Sequence, residues 1–365
     1  MFKEIVLKEK GTIPRLTAKT FKFDKRIKKG FFSANYFLKS TKIVAENFPD
    51  HIVTMQFFQR KERAFVCGLD EVISLIHQYA IEPEHLIIEA LNDGDEITSL
   101  EPVLKVTGRY EHFGFLESLI DGILARRTSV CTNVREVVEA ANGVPIFSMA
   151  DRQDDYLTQI GDGYATYVGG VSIVSTDAQG YSWNGKGGGT MPHALIQVCG
   201  GDVLKAADAY LNSFPKEKVT ALIDYRNDVV RDSVMLANHL RKRLKAVRVD
   251  TSMNLTDHYF DHYLDKTGLN GVSEPLIRAL REELDKANAK HVKIIVSSSF
   301  DKKKITDWTT RGVPVDMFGV GTSFVNNMTC SFTGDLVVLD GKHQAKEGRE
   351  DIYSSRLIRV PYPIY

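Results

Sequence analysis

Two segments in the second half of the chain are rich in Ser, Gly and Thr, the residue types that can hold a phosphate group. The first contains Ser298 and Ser299, and the second contains Gly319, Gly321 and Thr322. Small residues let backbone N–H groups approach an anion closely, and hydroxyl side chains add further donors. The two segments therefore predict a phosphate site, although tight turns alone would also explain their composition.

Charged and polar side chains stand at the ends of other short apolar runs. Asp224 ends one run, while Arg248, Asp250 and Thr251 lie at the end of the next. If these runs are parallel strands of a barrel, their C-terminal ends face one mouth, where barrel enzymes carry their chemistry. We therefore expect these residues to share a site with the Ser- and Gly-rich segments.

His193 follows a Gly-rich segment and stands near a helix start that Thr190 and Pro192 mark. At the mouth of a site, a histidine can accept a phosphoryl group or act as a general acid and base. A purely structural histidine is the alternative.

Two further patterns are weaker. The segment 180–188 nearly matches a P-loop, but Gly187 takes the place of the Ser or Thr that would bind magnesium. It is better interpreted as a mobile Gly-rich loop. His258 and His262 have the i, i+4 spacing of a metal site, and a structural role is favoured for them.

The elements that position these residues are short apolar runs alternating with helical stretches. The runs lie at 144–150, 171–175, 219–224, 246–250, 292–297 and 315–321. Such runs, rich in β-branched residues and separated by amphipathic helices, are typical of parallel strands covered by helices. The sequence therefore predicts an α/β fold with an irregular α/β barrel.

The chain ends have a different pattern. The first 110 residues are predicted to be α+β, and two helices are expected between residues 112 and 141. Strands at 335–340 and 356–360 are expected to return to the N-terminal part. We predict an N-terminal α+β domain at 1–125, a barrel at 126–330, and C-terminal strands at 331–365 that complete a discontinuous α+β domain.

Composition excludes several classes of protein. The 47 basic and 47 acidic side chains give zero net charge, which argues against bulk nucleic-acid binding. The 4 cysteines form no CxxC pair, so a zinc ribbon is excluded and a reducing cytosol is favoured. The opening MFKEIVLKEKG has no apolar secretion core, and no apolar run is long enough to span a membrane. We expect a cytoplasmic protein without nucleic-acid or membrane partners.

These motifs, in their order along the chain, resemble those of the nicotinate phosphoribosyltransferases, within the wider type II phosphoribosyltransferases. GTMPHALIQ (189–197) and FGVGTSF (318–324) resemble an active-site segment and the phosphate loop of that family, and they are specific. Less specific matches are NYFLKST (35–41), EPVLKVTGRY with FLES (101–118), YATYVGGVSIVST (164–176), VRVDTS (247–252) and DLVVLDGKHQAKEGR (335–349). The resemblance is collinear over almost the whole chain.

The resemblance implies a barrel joined to an α/β domain built from both chain ends. It implies an enzyme that transfers the phosphoribosyl group of 5-phosphoribosyl 1-pyrophosphate (PRPP) to nicotinate, giving nicotinate mononucleotide and pyrophosphate. The resemblance also implies that the enzyme uses Mg²⁺, couples its reaction to ATP and acts in NAD biosynthesis and salvage. It further implies a homodimer or higher homo-oligomer with shared active sites.

By motif match, Tyr36 would stack on the pyridine ring, Arg248 would pack near it, and Arg152 would be a cationic contact. Asp224 and Asp250 would lie near the ribose, the pyrophosphate or magnesium, with Asp250 as the magnesium ligand.

The same match implies that His193 is the histidine phosphorylated in ATP-coupled members. Thr190 and Thr251 lie in the matched active-site segments, which implies contact with substrate. In the family, Tyr36 would complete the site of a partner subunit.

The sequence departs from the family pattern at several positions. Ala34 stands where the family has Asp, Met149 replaces an aromatic residue, and Ser298 and Ser299 replace a Gly-Gly pair. The arginine usual after the VRVDT segment is missing. Two alternatives therefore stay open. One is a transferase for quinolinate or another pyridine base, which would demand more Lys and Arg at the site, and the other is a catalytically impaired nucleotide-binding relative.

Overall fold

The computed structural model describes residues 20–362, and the chain divides into two compact units. Unit 1 comprises Met1–Arg135, Ile160–Gly170 and Asn326–Tyr365, and unit 2 comprises Glu136–Gln159 and Val171–Val325. The expectation that the opening residues contain no secretion core falls on residues 1–11, which lie outside the described part. No helix within residues 20–362 is long and apolar enough to cross a membrane.

The strands follow one another along both units. In chain order they are β1 (Ile52–Phe58), β2 (Ala64–Phe65), β3 (Ile87–Ala90), β4 (Glu96–Ile97), β5 (Leu104–Arg109), β6 (Ile146–Ser148), β7 (Ile173–Val174), β8 (Val219–Leu222), β9 (Leu244–Val249), β10 (Lys293–Val296), β11 (Met317–Val320), β12 (Thr333–Leu339), β13 (Lys342–His343) and β14 (Ile358–Val360).

The α-helices connect these strands. They are α1 (Asn35–Asn47), α2 (Leu69–Tyr79), α3 (Tyr110–Phe113), α4 (Glu117–Ala141), α5 (Gln159–Val168), α6 (His193–Val198), α7 (Val203–Ser213), α8 (Val229–Leu240), α9 (Glu274–Lys286), α10 (Lys302–Thr310) and α11 (Thr322–Asn326).

Unit 1 contains an antiparallel sheet with the strand order β13-β12-β1-β5-β3-β14. The C-terminal strand β12 pairs with β1, and β14 pairs with β3, so both chain ends build the same sheet. Side chains of β1, β5 and α2, including Phe57, Val106 and Ile73, are completely buried in one apolar core. The prediction that the C-terminal strands return to the N-terminal part is confirmed.

Helix α4 corrects the expectation of two helices between residues 112 and 141. After the single turn α3, one unbroken helix of 25 residues runs from Glu117 to Ala141. Gly122 lies inside it without ending it, although glycine costs about 1 kcal/mol relative to alanine in a helix. Buried contacts compensate, since Ile120 and Leu124 lie in the core of unit 1. The helix ends, as predicted, at Asn142 and Gly143, both in the left-handed conformation.

Unit 2 contains six parallel strands in the order β7-β6-β11-β10-β9-β8. Val247, Val249, Ile294 and Val296 are completely buried, as expected of strands covered on both faces. Each side chain of this size contributes about 1.5–3 kcal/mol when fully buried. Helices connect the consecutive strands, and this arrangement, joined to the α+β unit, confirms the predicted fold class.

The barrel is irregular between its two edge strands, β7 and β8. A segment of turns with one short 3-10 helix, Tyr181–Trp183, lies there in place of direct pairing between the two strands. The Gly188 amide donates to the Val174 carbonyl at 2.7 Å, and the Met191 amide donates to the Thr220 carbonyl at 3.0 Å. The segment is thereby fixed to both edge strands, and His193 follows immediately as the first residue of α6.

Candidate active site

The candidate residues of unit 2 lie at the C-terminal ends of neighbouring strands. Asp224 follows β8, Asp250 follows β9, Ser298 lies just after β10, and Gly321 follows β11. Because the strands are parallel, these ends lie at the same rim of the barrel. The fold therefore brings the residues together as the sequence predicted.

Arg248 lies at the centre of a polar network at this rim. Its guanidinium donates through Nη2 to Asp250 Oδ2 at 3.0 Å and through Nε to Ser297 Oγ at 2.8 Å. Nη1 donates to Thr190 Oγ1 at 3.3 Å. Ser297 Oγ in turn donates to Asp250 Oδ1 at 2.7 Å. The arginine and the carboxylate are thus held in fixed orientations by direct contact and through one serine.

Ser297 is a site residue that sequence reasoning missed. The apolar run at 292–297 made it look like the last residue of a strand. In the parallel register, Ile295 lies opposite Arg248. Ser297, two residues further, therefore lies on the same sheet face as Ile295 and reaches the arginine. The residue could have been found only from the register of β9 and β10.

Thr251 and Ser148 are buried polar residues at strand ends with hydroxyls that contact no partner. Thr251 has 1% of its surface exposed, and Ser148 is completely buried. Neither hydroxyl has a hydrogen-bond partner in the described part of the chain. An unpaired buried hydroxyl is costly, so both are candidates for contact with a bound ligand.

His193 and Asp224 form a hydrogen-bonded pair. His193 Nε2 lies 2.9 Å from Asp224 Oδ1. The carboxylate is nearly buried, with 7% of its side chain exposed, whereas 44% of the His193 side chain is exposed. If Nε2 carries the proton for this bond, Nδ1 is the nitrogen with a free lone pair.

Burial raises the pKa of Asp224, and the hydrogen bond and charge of His193 act against this rise. The negative charge of Asp250 raises the pKa of Asp224 further, so the two carboxylates influence each other. Replacing His193 would remove a group that lowers this pKa.

Ser298 and Ser299 adopt a backbone conformation that favours glycine. Their φ angles are +80° and +57°, so two consecutive non-glycine residues are left-handed. Such a conformation costs roughly 1–2 kcal/mol for a residue with a side chain. The loop after β10 therefore retains a glycine-like backbone although serines replace the Gly-Gly pair of the resembled family.

If this loop holds the phosphate of PRPP, as the resemblance implies, replacing Ser298 and Ser299 together by Gly should keep the PRPP KM within about twofold of its original value. The free energy of unfolding should stay equal or rise by up to ~1 kcal/mol, because the relief of strain offsets the added flexibility of the unfolded chain. The matched double replacement by Val should raise the PRPP KM at least about tenfold. Urea unfolding and PRPP titrations measure both effects, and a raised KM in the Gly variant would mean that the hydroxyls hold the phosphate.

The second predicted phosphate segment packs tightly against the loop after β6. A Cβ on Gly321 would come within 2.9 Å of the Met149 carbonyl oxygen, and one on Gly319 within 2.5 Å of the Met149 side chain. The Thr322 hydroxyl donates to Gln153 Oε1 at 2.8 Å. Glycine is therefore required sterically at position 321, and the Thr322 hydroxyl already has a partner.

Arg152 and Tyr36 are exposed residues on different units. Arg152 ends a short 3-10 helix, Ala150–Arg152, after β6, and no ion pair joins it to another residue of the described chain. Tyr36 lies on α1 in unit 1 with 66% of its surface exposed, and its ring centroid is 4.1 Å from that of Phe37. Ala34 is the N-cap of α1 and provides no side-chain hydrogen bond, which the Asp of the resembled family could supply.

The weaker sequence patterns do not form sites. In the P-loop-like segment, Lys186 pairs with Asp177 at 3.2 Å and the Gly187 amide donates to the same carboxylate. His258 pairs with Asp261 at 2.9 Å. No group of three or more His, Cys, Asp or Glu side chains in residues 20–362 could hold a metal ion.

Comparison with known proteins links the chain to pyridine-base phosphoribosyltransferases. Residues 36–128 match the model of the quinolinate phosphoribosyl transferase N-terminal domain. A nicotinate phosphoribosyltransferase of Mycobacterium tuberculosis is 27% identical over 263 residues, covering 70% of this chain and 54% of that protein. One of Bacillus subtilis is 23% identical, covering 65% of this chain and 45% of that protein. The chain spans about half the length of the curated relatives it matches.

Two solved structures share the fold. Nicotinate-nucleotide pyrophosphorylase from Pyrococcus furiosus has a TM-score of 0.78 and 27% identity, covering 94% of this chain and 85% of that one. Human nicotinic acid phosphoribosyltransferase has a TM-score of 0.65 at 14% identity, covering 86% of this chain and 76% of that one.

The chain shares with these structures an irregular α/β barrel joined to a discontinuous α+β unit. In sequence and fold, it is similar to nicotinate and quinolinate phosphoribosyltransferases.

Proposed function

We propose that the protein is a nicotinate phosphoribosyltransferase, which condenses nicotinate with PRPP to form nicotinate mononucleotide and pyrophosphate in NAD biosynthesis and salvage. The observation that carries the proposal is the network of Arg248, Ser297 and Asp250 at the barrel rim. Arg248 also contacts Thr190, three residues before His193, which connects the network to the His193–Asp224 pair.

The residues of the network suit the chemistry of this transfer. Departure of pyrophosphate leaves positive charge on the ribose, which the carboxylates of Asp224 and Asp250 would stabilise. Arg248 is a planar cation held in place by three partners, so its face can pack against a pyridine ring. The nitrogen of the base attacks the ribose carbon as the bond to pyrophosphate breaks.

The available positive charge favours a base with a single carboxylate. Asp250 already balances the charge of Arg248. Arg152 has no ion pair with another described residue and can bind one carboxylate, in two-pronged geometry. Quinolinate carries a second carboxylate, which would require a further unpaired cation.

Quinolinate is nevertheless the second candidate base, because the N-terminal part of the chain matches the domain of a quinolinate phosphoribosyl transferase. A catalytically impaired relative is the third possibility, given the departures at Ala34, Met149 and the two serines after β10.

Mg²⁺ would be held by Asp250 together with phosphate oxygens of the substrate. This fits the preference of Mg²⁺ for one or two carboxylates plus substrate phosphates over an all-protein cage. When bound, the ion neutralises the charge of the leaving pyrophosphate. ATP is proposed as a co-substrate that phosphorylates His193.

We further propose a cytoplasmic homodimer, or a higher homo-oligomer, in which Tyr36 of one subunit completes the site of another. The exposure of the Tyr36 ring supports this role, since a free aromatic face is available for stacking. All four cysteines are free thiols, which is consistent with a reducing compartment.

Purified protein with PRPP, Mg²⁺ and ATP is expected to convert nicotinate to its mononucleotide at least about tenfold faster than quinolinate or nicotinamide at equal concentration. Chromatography of the products measures the rate with each of the three bases. The same reactions without ATP serve as the control for coupling to ATP. Faster turnover of quinolinate would show that quinolinate, and not nicotinate, is the base. The absence of any product from a folded protein that binds PRPP would identify a catalytically impaired relative.

A further inference from the structure

Unit 2 has a cavity of about 550 Å³ between the start of α9 and helix α10. None of the active-site candidates lines it. Its walls include a lysine, two arginines and a tryptophan, and its size suits a small organic molecule.

Lys304 places an unpaired positive charge in this cavity. Its ammonium donates to the Val272 carbonyl at 3.2 Å and lies 4.2 Å from the ring centroid of Phe300 and 5.3 Å from that of Trp308. No carboxylate of the described chain pairs with it, although an ammonium has three donors. Burial lowers the pKa of Lys304, while the negative charge of Asp301 acts in the opposite direction.

Ser273 adds an unused hydroxyl at the start of α9. Only 7% of the residue is exposed, and its hydroxyl has no hydrogen-bond partner within the described residues. It is the N-cap residue, yet it makes no side-chain bond to the helix. The first-turn amides and the positive end of the helix dipole favour an anion at this position.

The two arginines of the cavity already have carboxylate partners. Glu274 accepts from Arg278 at 2.8 Å and from Arg311 at 2.6 Å, and Arg311 also pairs with Asp307 at 3.5 Å. Lys304 is therefore the lining cation that has no ion pair within the described residues. An anion bound in the cavity would supply its partner.

We propose that this cavity binds the phosphate group of a small phosphorylated metabolite. The phosphate accepts from Lys304 and from the Ser273 hydroxyl at the start of α9. The organic part of the ligand lies along Trp308. The site is separate from the phosphate loops of the barrel rim and does not depend on the proposed transferase activity.

Trp308 provides a local readout, because the chain has only 2 tryptophans. In a Trp183→Phe background, the fluorescence of Trp308 is followed while inorganic phosphate or ribose 5-phosphate is added at constant ionic strength. We expect a saturable change in fluorescence, and a dissociation constant at least about tenfold higher in Lys304→Gln. Acetate, a monoanion, should bind at least about tenfold more weakly than phosphate.

Lys303→Gln is the matched control, since Lys303 is an exposed neighbour on the same helix and does not line the cavity. Its dissociation constant should equal that of the parent. Ser273→Ala should also weaken binding while the thermal unfolding of the protein stays unchanged. A response that does not saturate, one that Lys304→Gln leaves unchanged, or equal binding of acetate would overturn the proposal.

Discussion

A one-to-one mixture of Tyr36→Ala and Asp250→Asn subunits is expected to recover about a quarter of the original activity, although neither variant alone is active at that level. Asp250→Asn should lower the rate about a thousandfold, because the proposed mechanism loses the charge that stabilises the ribose, and the partners of Arg248 and Ser297 change. Tyr36→Ala should cost about 10- to 100-fold through the lost stacking of the base.

The recovery follows from the symmetry of a shared-site dimer. Half of the dimers in an equal mixture contain one subunit of each kind. In such a dimer, one site contains both replacements and the other contains neither, so about a quarter of all sites are intact. The activity is measured after the two variants are unfolded and refolded together.

A mixture of Asp224→Asn with Asp250→Asn is the matched control. Both residues belong to unit 2, so every mixed site contains one replacement and no activity should return. If mixed dimers of the Tyr36 and Asp250 variants form but stay inactive, Tyr36 does not complete a partner's site.

The fold could be predicted from the sequence because the two units have different hydrophobic patterns. The parallel strands are covered on both faces and therefore contain runs of buried apolar residues, such as Ile294, Ile295 and Val296 in β10. The single helix α4 was missed because Gly122 and the neighbouring arginines interrupt its apolar pattern. Arg126 and Arg127 bind Asp162 and Glu71, and these long-range partners are visible only in the folded chain.

The candidate site was predictable only as far as each strand end could be located. Asp224 and Asp250 are charged residues that directly follow apolar runs, and their positions were therefore evident. Ser297 was not, because its contact with Arg248 depends on the register between β9 and β10. The left-handed backbone at Ser298 was equally hidden, since serine has no preference for that conformation.

His193 is expected to become phosphorylated when the protein is incubated with ATP. The hydrogen bond to Asp224 holds Nε2 and leaves Nδ1 with a free lone pair. In the proposed reaction, Nδ1 would attack the γ-phosphorus and form a new N–P bond, while the bond to the bridging oxygen would break so that ADP leaves with the electron pair. The nearly buried Asp224 stabilises the positive charge that develops on the imidazole.

The label from γ-labelled ATP should be acid-labile and base-stable, and it should disappear in His193→Ala. His239 provides a matched control, because its Nε2 lies 2.8 Å from Asp208 and its exposure of 43% is close to that of His193. Its aspartate, however, is half exposed, and the pair lies on the outer helices α7 and α8. His239→Ala should therefore keep the label.

A second readout distinguishes the phosphorylated role from a merely structural one. In the wild type, ATP should lower the PRPP KM, and in His193→Ala the KM should be the same with and without ATP.

The pKa of Asp224 should rise in this variant, because the hydrogen bond that lowers it is lost. Since the carboxylate of Asp224 is the active form in the proposed mechanism, the acid limb of the remaining activity should move to higher pH. If the wild type takes up no label and ATP changes neither the rate nor the PRPP KM, His193 contacts pyrophosphate and the coupling to ATP is absent.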